Sequence, residues 1–183
     1  RVIRVTEFDW EKLVVSKDIP TKRSLKLEGN SKKTVRNGDL IIEKSGGGEK
    51  TPVGRVVLVD EDFCQLAVNS NFTNLLRPNQ DLLDPKFGVY LLYSSYTGGG
   101  TVRNIKQTTG IQNLDMEGFL SDVVFIPPLT EQRRIWEFLD QSTEQSLTLI
   151  EKNLRKICLL REYRQSLISS VVTGKVRVTE NMI

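Results

Sequence analysis

Histidine is absent from this chain. That removes Ser-His-Asp triads, imidazole general bases and imidazole metal ligands together. Cysteine is nearly absent: Cys64 and Cys158 are the only two, far apart and without a CxxC companion. A thiolate zinc site would lack ligands. Two thiols in 183 residues, with no signal-peptide pattern, suit a reducing cytosol and predict a cytoplasmic protein. No apolar run approaches the roughly 20 residues of a membrane span. Excess charge is also scarce, because 26 Lys+Arg against 23 Asp+Glu leave a net charge of +3. Nucleic-acid contact must therefore come from local patches. The chain opens at Arg1 without a methionine, so a missing N-terminal piece is expected and the lack of a targeting segment carries little weight.

Catalytic signatures are missing as well. There is no GxxxxGK[ST] phosphate loop. The glycine runs SGGGEK (45–50) and TGGGT (97–101) lack a GxGxxG register. No [DN]PP[YF] motif and no Glu-x-Lys tripeptide occurs. Carboxylates are plentiful but scattered, so an enzyme would need folding to bring a pair together.

What the chain does have is two halves of different period. Residues 1–128 read as short elements between turn residues and predict a compact α+β domain. GDLIIEK (38–44), VGRVVLVD (53–60), QLAVNS (65–70), FTNLLRP (72–78) and DVVFI (122–126) read as strands. DPKFGVYLLYSSY (84–96) reads as a helix capped by Asp84, with Pro85 in its first turn and Phe87, Tyr90 and Leu91 on a buried face. From Thr130 onward apolar residues recur at three- and four-residue steps, and no proline interrupts residues 129–183. A helix over 131–173, on the order of 65 Å long, is predicted, with Gly174 as its C-cap and a polar stretch from Asp140 to Gln145 that can bend or break it. Its stripe, Leu147, Ile150, Leu154, Ile157, Leu160, Leu167 and Val171, calls for another helix in a coiled-coil-like arrangement. The alternative is a helix folded back on its own domain.

FIPPLTEQRRI (125–135) joins the halves. Pro127 and Pro128 cannot continue a ladder. Thr130 can cap the new helix, with Glu131 near its positive end. The expected organisation is a domain over 1–128, a helical region over 129–176 and a tail over 177–183.

The glycine runs are informative as loops, since such backbones approach a partner closely and their amides can hold phosphates. The first offers Ser45, Gly46, Gly47 and Lys50. The second offers Tyr96, Thr97, Gly98, Gly99, Thr101, Arg103 and Asn104. Lys106, Gln107, Thr108, Thr109, Gln112 and Asn113 follow, which are side chains of the kind that read base edges. Residues 17–36 hold seven Lys/Arg, of which Lys32 and Lys33 are the candidate phosphate contacts. Two readings remain open: solvated surface loops, or a DNA-binding face. On the second, Arg103 and Gln112 should set sequence preference and Lys32 affinity alone.

The joint resembles the PPLxEQ junction of type I restriction-modification specificity subunits, here Pro127-Pro128-Leu129-Thr130-Glu131-Gln132. Gly38-Asp39-Leu40-Ile41-Ile42 followed by Gly54-Arg55 is similar to the family's GDLLI…GR segment. Thr109-Gly110-Ile111-Gln112-Asn113-Leu114 resembles the segment preceding the junction, and Thr173-Gly174-Lys175 its TGK ending. The resemblance implies a target recognition domain reading half of a bipartite double-stranded DNA sequence, and a conserved helix pairing antiparallel with another. It implies modification subunits that use S-adenosylmethionine to methylate adenine N6, and a motor-nuclease restriction subunit that uses ATP and Mg. The specificity subunit has no catalytic activity, and no cofactor is expected in this chain.

This sequence departs from the family's usual duplicated plan, with one recognition domain and one helical region. It is a fragment or a half-sized subunit that pairs with itself. A self-paired form would read a split palindrome. The runner-up is the specificity region of a fused restriction-methylation enzyme. From other classes, a helical assembly module that binds no DNA and an enzyme with dispersed carboxylates remain.

Overall fold

The computed structural model describes residues 1–24, 33–61, 63, 65–108 and 110–180. It divides into two compact units, Arg1–Trp136 and Glu137–Ile183. The architecture is α+β.

The first unit is organised around a five-stranded sheet. Its strands are β2 (Phe8–Asp9), β3 (Val14–Val15), β6 (Val56–Leu58), β4 (Leu40–Glu43) and β8 (Thr73–Leu76), in the order β2-β3-β6-β4-β8. The β3–β6 pair is parallel and the other pairs are antiparallel. β4 and β6 are apolar along nearly their whole length because both faces are covered. Alternation sorts them: Ile41 and Val57 enter one core cluster with Ile3, Phe8 and Val59. Leu40, Ile42, Val56 and Leu58 enter another with Leu13, Val89 and Phe119. A two-stranded parallel pair, β1 (Val2–Ile3) with β7 (Val68–Asn69), flanks the first cluster.

Helix α1 (Pro85–Thr97) covers the second cluster. Asp84 caps it as expected, accepting from the backbone N–H groups of Lys86 (2.9 Å) and Phe87 (3.3 Å). Phe87 is buried, but the face turned inward carries Val89, Tyr90 and Leu92, not Leu91. Val89, Leu92 and Tyr96 lie at i, i+3 and i+7, the helical stripe. Gly88 is there because a Cβ would stand 3.2 Å from Leu40 Cδ1, so its lack of a side chain lets α1 approach β4.

Two expectations in this unit fail. Residues 122–126 form no strand: Val123 and Phe125 are 101% and 84% exposed, and no strand lies beside them among the described residues. Their β-propensity is high, but a strand exists only with a ladder partner. Residues 105–114, read as a polar loop, form a hairpin, β9 (Ile105–Thr108) and β10 (Ile111–Leu114), and a short helix, α2 (Met116–Leu120), follows it.

The Pro-Pro segment turns directly into helix α3 (Leu129–Val172). Thr130 is its second residue rather than its cap; Pro128 O accepts the first bonds, from Glu131 N (2.9 Å) and Gln132 N (3.0 Å). Proline's fixed φ sets that carbonyl in place without a side-chain cap. Glu131 lies in the first turn, as expected.

Gln132 is the anchor. It is fully buried. Its Oε1 accepts from Asp84 N (2.8 Å), and its Nε2 donates to Leu82 O (2.9 Å) and Pro127 O (2.7 Å). One amide therefore ties the α1 cap, the turn before it and the proline segment together. Lys86 Nζ lies 4.3 Å from the Trp136 ring centroid and closes the same corner.

Helix α3 runs for 44 residues without interruption, about 66 Å at 1.5 Å per residue. The polar stretch from Asp140 to Gln145 does not break it, since polar residues on a solvated face keep the backbone ladder intact. Gly174 ends it in the left-handed region (φ 74°), donating its N–H to Val171 O at 3.1 Å. Ile150, Leu154, Ile157, Leu160 and Leu167 are exposed, and Leu147 and Val171 are half-buried. Among the described residues no helix is long and apolar enough to cross a membrane.

Replacing Gln132 with Ala leaves one buried N–H and two carbonyls without their partner. The expected cost is about 2–3 kcal/mol, since such unmet groups do not add independently. A denaturant midpoint unchanged from wild type would contradict the anchoring role.

Candidate nucleic-acid interface

Beyond Glu43 the chain leaves the five-stranded sheet and enters a second, smaller one. β5 (Ser45–Gly46) pairs with β10, which pairs with β9, all antiparallel. The glycine run thus begins as a strand. Cross-strand register places Ser45 opposite Asn113 and Asn113 opposite Lys106. These three form one row, and Ser45 Oγ donates to Asn113 Oδ1 at 2.7 Å. In the next row, on the opposite face, lie Gly46, Gln112 and Gln107.

The alternation decides what each side chain can meet. Ile111 and Asn113 are exposed, while Gln112 and Leu114 are buried. Gln112 Oε1 accepts from Val53 N at 3.2 Å. A Cβ on Gly47 would stand 2.7 Å from Val53 N and 2.8 Å from that same oxygen. Gln112 therefore holds the 47–53 loop against the hairpin from below. Gln112, expected from the sequence to set sequence preference, is thus buried, and its neighbour Asn113 is exposed.

A second buried group supports the other loop. Thr101 is fully buried and sits on Gly54, whose added Cβ would lie 2.5 Å from Thr101 Cγ2. Gly54 also has φ +115°, which L side chains rarely adopt. Beside it, Arg55 donates to both oxygens of Glu43 (2.7 and 3.0 Å), and its guanidinium lies 4.9 Å from the Trp10 ring centroid. Hydrogen bonding to Glu43 raises the Arg55 pKa, which burial opposes; the charge of Glu43 and Tyr96 add to the rise. Burial raises the Tyr96 hydroxyl pKa. Glu43 is only 2% exposed, so removing its partner would strand a buried charge at about 3–5 kcal/mol. This bidentate pair is the base on which the two glycine loops stand.

The remaining candidates sit around that base. Thr97 is exposed, its hydroxyl donating back to Tyr93 O and Ser94 O. Gly98 and Gly99 wrap the end of α1. Lys50 is exposed at the tip of a turn in which Gly48 and Thr51 exchange backbone bonds. Arg103 is 78% exposed, with only a 3.8 Å approach to Asp122. Asn104 is half-buried, and its carbonyl accepts from Asp115 N at 2.8 Å. Gln107 is exposed. Lys106 Nζ pairs with Asp115 Oδ2 at 2.6 Å. That hydrogen bond raises the Lys106 pKa and lowers that of Asp115. Thr108 ends β9; Thr109 and Lys32 lie outside the described residues. Lys33 is exposed and donates to Asn71 Oδ1 at 2.8 Å.

The structure thus gathers both glycine loops and the hairpin at one end of the main sheet. Sequence reasoning missed the Gly54–Thr101 contact and the Glu43–Arg55–Trp10 stack. The Gly54-Arg55 dipeptide was the available signal. Among the described residues no cluster of three or more metal-ligating side chains occurs. Gly54→Ala should cost about 2–4 kcal/mol, from the clash and the positive φ together. Adding Thr101→Ser, which deletes the nearest atom, should recover part of it in chemical denaturation. No recovery would mean backbone strain alone governs the site.

Among curated proteins none matches the chain. Two solved structures share its fold. The HsdS subunit from Thermoanaerobacter tengcongensis superposes with a TM-score of 0.58 at 18% identity, over 91% of this chain and 40% of that one. A chain from a structure concerned with complex assembly and conformational transition of the type I R-M system gives 0.57 at 23% identity, over 75% of this chain and 31% of that one. This chain therefore spans well under two thirds of either. In sequence, residues 16–158 match the type I restriction modification DNA specificity domain. The match takes in most of the first unit and a large part of α3, so the chain belongs to the family of type I restriction-modification DNA specificity domains.

Proposed function

We propose that this chain reads one half of a bipartite double-stranded DNA target for a type I restriction-modification complex. The observation that carries the reading is the row Ser45–Asn113–Lys106, in which Asn113 and Lys106 are exposed, on a small sheet underpinned by buried groups. A sheet ribbon is one of the two elements that the major groove admits. Asn113 Oδ1 accepts from Ser45, and among the described residues its amide nitrogen makes no bond and is free to donate. Lys106 stands beside it in the row and is itself paired with Asp115, while Arg103 and Lys50 are exposed on the neighbouring segments.

In this reading α3 pairs antiparallel with a second helix of the same kind. Leu147, Ile150, Leu154, Ile157, Leu160, Leu167 and Val171 supply the contact, and the exposure of Ile150, Leu154, Ile157, Leu160 and Leu167 along the helix supports it. Modification subunits dock on the same helical region, and a restriction subunit joins for cleavage. The chain itself carries out no catalysis. S-adenosylmethionine belongs to the modification partner, and ATP and Mg to the restriction partner.

A genome-wide map of N6-methyladenine, made with and without this chain and with its modification partner in both, tests the reading. A split motif should vanish with the chain, palindromic if two copies pair and asymmetric if a different reader completes the subunit. An unchanged map would refute DNA reading. Within the motif, Asn113→Ala should lose discrimination at one or two positions by about 1–3 kcal/mol. Equal loss on every sequence would show that Asn113 reads nothing.

A further inference from the structure

A second surface adjoins the hairpin, and the reading above does not use it. It is an open depression of about 950 Å³ walled by Arg4, Lys22, Arg23, Lys33, Asn71 and Phe72, and among the described residues no carboxylate lines it. These residues come from four separate stretches of chain, and the fold brings them together. Val2 N donates to Thr21 O (3.0 Å), which lays the segment bearing Lys22 and Arg23 beside β1. β1 pairs with β7, and Thr34 bridges to Val68, which seats Lys33 along the same edge. The turn that follows is fixed from inside: Asn69 Nδ2 donates to Ser70 O (3.2 Å) and Thr73 O (2.8 Å).

Among the described residues no carboxylate pairs with Lys22, Arg23 or Lys33. Lys33 instead donates to the neutral Asn71 amide. Arg4 alone is matched, by Glu7 at 2.6 Å. Three open cations around a concave wall form an anion seat, not a surface of alternating charge.

Its position relative to the hairpin gives the seat a use. Phe72 O accepts from Lys44 N (2.9 Å) and Ser45 N (3.2 Å), so the Asn71–Phe72 turn is clamped to the first residue of β5. Ser45 in turn faces Asn113. The depression therefore begins about two strand spacings, roughly 10 Å, from the centre of the reading row. The major groove is about 12 Å wide, so a ribbon on its floor has a phosphate backbone at about that distance.

We propose that this depression seats the backbone phosphates that border the base pairs met by the β9–β10 hairpin. The proposal rests on the DNA-reading function above and adds to it a contact that fixes position without carrying sequence information. Lys22 and Arg23 are its principal cations.

The test uses the full chain assembled with its modification subunits. Affinity is measured for a duplex bearing the motif from the methylation map and for a scrambled duplex, between about 50 and 200 mM salt. Lys22→Gln with Arg23→Gln should weaken both duplexes by the same factor, tenfold or more at the lower salt. It should flatten the slope of log affinity against log salt by about 1.8, two lost phosphate contacts. Lys22→Arg with Arg23→Lys, which keeps the charge, should retain the slope and so guards against a folding defect. If the double Gln variant binds like wild type, or loses only the motif duplex, the phosphate seat is wrong while DNA reading stands. If inorganic phosphate at millimolar concentration abolishes the difference between wild type and variant, the seat holds a free anion, which also overturns the proposal. If wild type itself shows no salt-dependent binding, the DNA reading fails with it.

Discussion

One buried amide organises the joint of this molecule. Gln132 spends its oxygen on the N–H of Asp84 and its nitrogen on two carbonyls, Leu82 and Pro127. Asp84 is free to cap α1 with its carboxylate because its own backbone is already held. The first turn of α3 is in place because Pro127 and Pro128 deliver the chain to it in a fixed conformation. A hydrophobic residue at 132 would fill the space but leave those three polar groups unmatched. A buried polar side chain is costly unless fully paired, so this one specifies a single arrangement of three segments.

The same logic recurs beneath the loops. Flexible glycine runs would make poor readers if nothing held them. Here Gln112 is bonded to Val53 N, Thr101 packs on Gly54, and Arg55 is clasped by Glu43 under Trp10. The side chains of the type that contacts DNA divide into two groups. Gln112 and Thr101 face inward and make the platform, while Ser45, Asn113, Lys106 and Arg103 stand on or around it. A site on a platform of this kind is presented at lower entropic cost than one on a free loop.

Net charge conceals this arrangement. A chain with +3 overall carries buried carboxylates matched to more exposed cations, as in Glu43–Arg55, Asp39–Arg77 and Glu7–Arg4. Lys22, Arg23 and Lys33 are left to one concave wall. The field that a charged partner meets is local and depends on which ions the fold has already neutralised.

Helices were legible in the sequence because their determinants are local. Asp84 followed by Pro85 announces the start of α1, the three- and four-residue apolar steps announce α3, and Gly174 announces its end, all within a few turns of the chain. The α+β class followed from the mix of strand-like runs and a helix before the proline pair, and the family resemblance from four short motifs in order. Strands were legible where apolar runs are bounded by turn residues, as in β4, β6, β7 and β8. At 122–126 the composition of a strand stands without a neighbour among the described residues, and at 105–114 a polar sequence pairs within itself as a hairpin and again with Ser45 and Gly46. No short window of sequence contains that second ladder, since its strands lie more than sixty residues apart. A separation of 59 residues lies between Gln112 and Val53, and their contact decided that this glutamine supports the surface on which Asn113 is displayed. Sequence alone determined which segments would be helical and which residue types were present to meet a partner. Tertiary structure decided which of those residues face out, because hydrogen bonds and packing between distant segments select one face of each strand for burial.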